Sequence, residues 1–202
     1  MNGTENTFMK TSRRPWIAFF SQTGTEIYNL TKDLNIFPDC IVTNQQQTEK
    51  INSDLYEIIK FRAHKLNLSN IWETIPKNPS LRDYTNILKK FENPVITLHG
   101  FLRIVPRKIC EKYEIYNLHP GLITKYPELK GFNPQERAYV QGHTTAGCVI
   151  HKVVPEVDEG PIVKSGQVLI EGLQLPDVYK KLHDLAFLLW KRLITEDKIL
   201  EA

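Results

Sequence analysis

Three residues of this 202-residue chain have types that could stabilise a developing negative charge and move a proton. Asn117 and His119 stand two apart in Ile115-Tyr116-Asn117-Leu118-His119-Pro120-Gly121, and Asp158 lies in Val157-Asp158-Glu159-Gly160-Pro161. Residues two apart on a strand face the same side. A strand that stops at Pro-Gly delivers them to the edge where α/β folds place their chemistry. Asp158 sits in a second loop beside a glycine that permits a tight turn. An amide donor, an imidazole and a carboxylate could therefore converge. On residue types alone the structural alternative leads, a histidine closing a strand and an asparagine capping a loop, and only the placement at turn-rich strand ends makes the two readings equal.

Other chemistries find less support. The six histidines are isolated, without an i, i+4 pair or a carboxylate cluster to hold a metal, so no metal is expected. No Gly-x-Ser-x-Gly elbow and no Gly-x-Gly-x-x-Gly run is present. Cys40, Cys110 and Cys148 are scattered, odd in number and unpaired in any Cys-x-x-Cys, which argues against a disulfide scaffold. The net charge of +3 and the lack of a Lys/Arg run point to no nucleic-acid partner. No stretch approaches the ~20 apolar residues of a membrane span. The polar N-terminus lacks the apolar core of a signal peptide, so a cytoplasmic, reducing setting is expected and the sequons at Asn2, Asn29 and Asn67 are read as chance.

The elements that must position the three residues alternate. Residues 1–14 carry little to bury and are read as a disordered tail, with 15–202 as a single domain. Trp16–Phe20, Cys40–Thr43, Val95–Leu98 and Glu114–Asn117 read as buried strands, with a short one near Ile71 and Trp72. Helices are expected over Ile27–Leu34, Asp54–Leu66 with Ser53 as cap, Leu81–Phe91 with Ser80 as cap, Pro106–Tyr113, Phe132–Val140 and Pro176–Ile194. Ala146–Val153 and Pro161–Ile170 read as an antiparallel pair around the Asp158 loop. The result is an α/β fold, a mostly parallel sheet with helices on both faces and an antiparallel extension. Ser21-Gln22-Thr23-Gly24-Thr25-Glu26 joins the first strand to a helix, whose free N–H groups favour an anion. A merely connecting turn is the alternative.

Several ordered runs from Val95 to Ile170 resemble the folate-dependent formyltransferases, most of all their glycinamide ribonucleotide branch. Leu98-His99-Gly100-Phe101-Leu102-Arg103-Ile104-Val105-Pro106 resembles the Gly-Phe-(Met/Leu)-Arg-Ile-Leu run bordering the pterin pocket. Asn117-Leu118-His119-Pro120 is similar to the Asn-hydrophobic-His-Pro motif, and Lys125-Tyr126-Pro127 to the Lys/Arg-Tyr-Pro that follows. Ala146-Gly147-Cys148-Val149-Ile150-His151 and Val157-Asp158-Glu159-Gly160-Pro161-Ile162 resemble its Gly-Thr/Cys-x-hydrophobic-His strand and hydrophobic-Asp-x-Gly-Pro-Ile loop.

The resemblance implies a Rossmann-like formyltransferase fold and formyl transfer from 10-formyltetrahydrofolate, as co-substrate, to a primary amine. Asn117 and a protonated His119 would stabilise the oxyanion, and Asp158 would hold His119 and assist proton transfer. The folate would lie among Phe101, Leu102, Arg103, Ile104, Val105, Val153, Val157 and Asp158. Thr23, Gly24, Thr25 and Glu26 would meet a phosphorylated amine acceptor, glycinamide ribonucleotide first. A nucleotide-linked amino sugar is the alternative, and a non-catalytic folate- or nucleotide-binding module the second. The implied assembly is a monomer or homodimer. The sequence departs from the family where the acceptor would sit. Gln22-Thr23-Gly24-Thr25-Glu26 replaces Gly-Asn-Gly-Ser-Asn, Gly121 stands where serine is common, and the closing helix lacks a Glu-His pair. Glu26 would repel a phosphate that it faced.

Overall fold

A computed structural model describes residues 13–202. The apolar run Trp16–Phe20 forms β1, buried along its whole length. The elements that follow are α1 (Thr25–Leu34), β2 (Cys40–Thr43), α2 (Ser53–Leu66), β3 (Trp72–Thr74), α3 (Leu81–Leu88), β4 (Val95–His99) and α4 (Arg107–Lys112). The second half contributes β5 (Glu114–His119), α5 (Pro134–Val140), β6 (Thr145–Lys152), β7 (Ile162–Leu169) and α6 (Leu175–Thr195). The strands make one sheet in the order β3-β2-β1-β4-β5-β6-β7. The first five are parallel, and β6 and β7 run antiparallel to their neighbours. The order reverses between β1 and β4, which opens a crevice at their C-terminal ends, the place where such sheets bind ligands.

Alternation along β1 divides the core. Trp16, Ala18 and Phe20 pack with Ile27, Leu30, Leu55, Ile59 and Trp190 under α1, α2 and α6. Ile17 and Phe19 pack with Tyr84, Ile87, Leu88 and Ile109 under α3 and α4. Strands covered on both faces read as unbroken apolar runs, which is why β1 and β4 were legible as parallel. The expected apolar stripe of α6 is buried at Val178, Leu182, Leu189 and Leu193, joined by Ala186 and Trp190. No helix among the described residues is long and apolar enough to cross a membrane.

Some boundaries differ from the sequence reading. α2 is capped by Asn52, whose side chain accepts the Leu55 N–H, and Ser53 is already helical. At α3 the expected Ser80 does act, its backbone N–H and its hydroxyl both donating to Asp83 Oδ2 at 2.7 Å. α5 begins at Pro134, not Phe132, because Asn133 takes a left-handed φ of 47° and interrupts the helix. Of the expected tail, residues 1–12 lie outside the described residues. Arg13 and Arg14 are tied in: Arg13 Nη2 lies 2.9 Å from Asp39 Oδ2 and Arg14 Nη1 donates to Glu114 Oε2 at 2.6 Å.

Candidate active site

β5 carries Asn117 and His119 to the sheet edge, on the face that also holds α3 and α4. The register places Leu98 of β4 beside Asn117 on one side and His151 of β6 beside it on the other. Asp158 sits in the turn between β6 and β7. It takes the left-handed φ of 56° itself, so the tight turn expected of Gly160 falls on the aspartate. Gly160 serves otherwise: a Cβ there would collide with the Lys152 carbonyl oxygen, so only glycine lets the loop close against β6.

The loop brings Asp158 between two buried histidines. Asp158 Oδ2 is 3.4 Å from His119 Nδ1, and Oδ1 is 3.4 Å from His151 Nε2. The Gly131 backbone N–H donates to Oδ2 at 2.9 Å. The outer nitrogen of each ring meets a backbone carbonyl: His119 Nε2 the Leu129 oxygen at 2.8 Å, and His151 Nδ1 the Lys152 oxygen at 3.0 Å. A carbonyl only accepts, so both outer nitrogens carry hydrogen. The inner nitrogens therefore gain one only as imidazolium. Asn117 Nδ2 lies 3.2 Å from His151 Nε2 and donates to it when that nitrogen is bare, leaving the second amide N–H free.

Burial pushes the pKa of His119 down, and the attraction of Asp158 only partly offsets this. Burial also pushes Asp158 up, but the His151 hydrogen bond, the charge of His119 and the Gly131 N–H outweigh it and hold the carboxyl below its ordinary range. In this arrangement Asp158 is ionised and His119 leans toward neutral. No ring nitrogen of His119 points at an empty site, because the turn at Pro127–Leu129 supplies the carbonyl that occupies Nε2.

The cluster forms one end of a cleft of about 470 Å³. Phe101, Leu102, Arg103, Ile104, Val105, Val153, Val157 and Asp158 all line it, together with Asn117 and His119. Ile104, Val157 and Leu102 are 75%, 59% and 52% exposed, an unusual outlay of apolar surface that suits a flat hydrophobic ligand. Arg103 is committed to the loop itself, its guanidinium donating to the Lys77 and Leu102 carbonyls. The sequence reading missed Phe132, 78% exposed on the cleft wall, because it had been assigned to a helix. It also gave His151 no role, although Gly147, Val149 and His151 alternate onto one face of β6.

The other four residues lie at the start of α1. Gly24 adopts φ 75°, and a Cβ there would meet Leu55 Cδ2 at 2.6 Å. The Thr25 N–H is taken by Thr23 Oγ1 at 3.2 Å, and the two hydroxyls are 2.9 Å apart. Glu26 turns inward to His99, Oε1 to Nδ1 at 2.7 Å. Among the described residues, no group of three His, Cys, Asp or Glu is placed to hold a metal ion.

A family model described as Formyl transferase matches residues 18–190. The human trifunctional purine biosynthetic protein adenosine-3 is 35% identical over 79 residues, 38% of this chain and 8% of that protein. Phosphoribosylglycinamide formyltransferase of Haemophilus influenzae is 26% identical over 138 residues, 65% of this chain and 59% of its own length. The chain thus spans less than two thirds of these curated relatives. Among solved structures, phosphoribosylglycinamide formyltransferase from Anaplasma phagocytophilum superposes with a TM-score of 0.73 at 23% identity, covering 92% of this chain and 88% of that one. A formyltetrahydrofolate deformylase from Pseudomonas syringae pv. tomato reaches 0.74 at 17% identity, covering 90% and 60%. At these identities the structural likeness is one of fold.

Proposed function

Since the chain belongs to the formyl transferase family, we propose that it moves a formyl group from 10-formyltetrahydrofolate to a primary amine. The observation that carries this reading is the Asp158 carboxylate held between His119 and His151, with Asn117 beside them, at the end of an apolar cleft.

The amine attacks the formyl carbon, and the carbonyl oxygen gathers negative charge. Asn117 keeps one N–H for that oxygen while His151 holds the other and so fixes the amide's orientation. His119 adds a second donor when the Pro127–Leu129 turn releases its Nε2. As the carbon–nitrogen bond to the folate breaks, the amine gives up a proton and the folate nitrogen takes one, with Asp158 placed to relay it. The folate ring would rest on Leu102, Ile104 and Val105 against the Val153–Asp158 loop.

Glycinamide ribonucleotide, the phosphoribosylglycinamide for which relatives are named, is the reference acceptor. Its phosphate would have to use the backbone N–H groups of Thr23 and Gly24, since that of Thr25 is already bonded. This poorer fit favours a second reading in which the acceptor is a different amine. Turnover with 10-formyltetrahydrofolate and a panel of amines tests both. Failure to consume the formyl donor with any amine, in folded protein that binds folate, sinks the transferase reading and leaves a binding module.

A further inference from the structure

On the opposite face of the same sheet edge, a buried histidine fixes a carboxylate. The His99 side chain is fully buried, and that of Glu26 is 26% exposed. His99 Nδ1 lies 2.7 Å from Glu26 Oε1, and its Nε2 lies 2.8 Å from Thr97 Oγ1. The Trp16 indole donates to the same Thr97 oxygen at 2.7 Å. An indole N–H can only donate, so the Thr97 oxygen accepts there, and with one hydrogen and a second lone pair it meets His99 Nε2 in either tautomer. His99 Nδ1 faces the Glu26 carboxylate, an acceptor for its N–H. The three contacts link Trp16, Thr97, His99 and one oxygen of Glu26 into a continuous hydrogen-bonded run. The imidazole also packs on Trp190, ring centroids 4.6 Å apart.

The outcome is a carboxylate with one oxygen anchored and the other uncommitted. Among the described residues Glu26 has no Lys or Arg partner at ion-pair distance. It stands at the crevice between β1 and β4, beside the candidate active site: Leu98, the neighbour of His99, pairs directly with Asn117. The separation is on the order of 10 Å, two strand spacings. The adjoining turn meets its own needs. Thr23 Oγ1 takes the Thr25 N–H, and Asn52 Nδ2 donates to Thr25 Oγ1 at 3.3 Å.

We propose that Glu26, held by His99, selects the acceptor: it accepts a hydrogen bond from a hydroxyl or ammonium group and turns away a phosphate at that place. This rests on the formyl-transfer reading for the existence of an acceptor, and it departs from the phosphate expected at Thr23–Thr25. Glu26 is the specificity residue, and His99 is a positioning residue acting through it.

Glu26→Gln is the informative variant, because the glutamine oxygen still accepts the His99 hydrogen bond while the other oxygen becomes an uncharged N–H donor. Inorganic phosphate titrated into the full chain is followed through the amide resonances of Thr23, Gly24 and Thr25. The variant is expected to bind about tenfold tighter than wild type or better. Equal affinity in the two proteins, including no binding by either, overturns the proposal, as does weaker binding by the variant. In turnover, the preference for glycinamide ribonucleotide over its dephosphorylated riboside rises in the variant by a similar factor, and His99→Gln moves it the same way by a smaller one. An unchanged preference in Glu26→Gln also overturns it. Calorimetry with a non-transferable folate analogue separates the two readings: lost folate binding sinks formyl transfer, while the phosphate titration still judges Glu26.

Discussion

Replacing Asp158 by asparagine isolates the charge at the centre of the cluster. Asparagine tolerates the left-handed φ of 56° as well as aspartate does, and its side-chain oxygen can still accept the Gly131 N–H, so the loop is retained. Alanine would add backbone strain and confuse the outcome. What disappears is the negative charge 3.4 Å from His119 Nδ1 and from His151 Nε2. At that distance and an effective dielectric of about 20, a carboxylate and an imidazolium attract by about 5 kcal/mol. The desolvation of two buried partners takes back part of this, leaving a net loss of about 3 kcal/mol. If that stabilisation is expressed in the transition state, kcat falls roughly a hundredfold.

The loss should appear in kcat and not in folate affinity, because the apolar walls of the cleft are untouched. Steady-state formyl transfer, with folate-analogue affinity from calorimetry, measures both. The pH profile adds a signature. The charge of Asp158 raises the pKa of His119 against the downward push of burial. Without it, His119 falls further, and any limb of the residual activity that depends on charged His119 moves to lower pH. A folded Asp158→Asn protein with kcat within about tenfold of wild type, or a defect confined to folate binding, refutes the assigned role.

Three further outcomes are expected. Phe132→Ala should weaken folate-analogue binding by about tenfold, by removing about 1–2 kcal/mol of ring burial, while leaving the melting temperature unchanged, since Phe132 is 78% exposed in the free protein. Gly121→Ser should destabilise the chain by about 1–3 kcal/mol in denaturant titration, because a Cβ there would lie 2.7 Å from His119 Nε2 and 2.8 Å from Pro134 Cβ. Burial raises the pKa of Glu114, but hydrogen bonds from Tyr116, Arg14 and Lys152 outweigh it and hold the group at about 2, below its ordinary 4.5. Its contribution is therefore full above pH 4.5 and lost as pH falls toward 2. Because the side chain is 28% exposed and solvent screens part of these contacts, acid titration of wild type against Glu114→Gln should show a difference of about 1 kcal/mol above pH 4.5, closing at lower pH.

How far the sequence was legible depended on whether the deciding contact was local. β1 and β4 were readable because burial on both faces leaves an unbroken apolar run, and α3 because Ser80 and Asp83 are three residues apart. Asn117 and His119 needed only the two-residue period of a strand. That Phe101–Val105 and Val153–Asp158 share one cleft was expected only from the resemblance to the formyltransferases, not from periodicity. His151 was missed because its role comes from the antiparallel register that sets it opposite Asn117, 34 residues away. Phe132 was drawn into a helix by the apolar and polar residues after it, and only the left-handed Asn133 shows why the helix starts later. For Glu26 the sequence predicted repulsion of phosphate but not what would hold the side chain, since His99 lies 73 residues further on.

The same distinction explains how the two faces of the sheet edge divide the labour. At Asp158, backbone carbonyls fix the outer hydrogen of each histidine, so the inner nitrogens and the carboxylate compete for whatever proton remains. With none, two lone pairs face an ionised carboxylate. With one, that proton satisfies one imidazole–carboxylate contact, and Asn117 can still donate to a bare His151 Nε2. A formyl transfer that takes a proton from an amine and returns it to a folate nitrogen needs such a site, able to gain and lose one proton. At Glu26, by contrast, His99 has both nitrogens committed, Nδ1 to the carboxylate and Nε2 through Thr97 to a buried indole. A group placed to cycle a proton is held between two histidines, whereas Glu26 is anchored through one oxygen by a single histidine. The opposite protonation demands of chemistry and of acceptor choice are thus met on adjacent strands, β5 and β4, by placing them on opposite faces of one sheet.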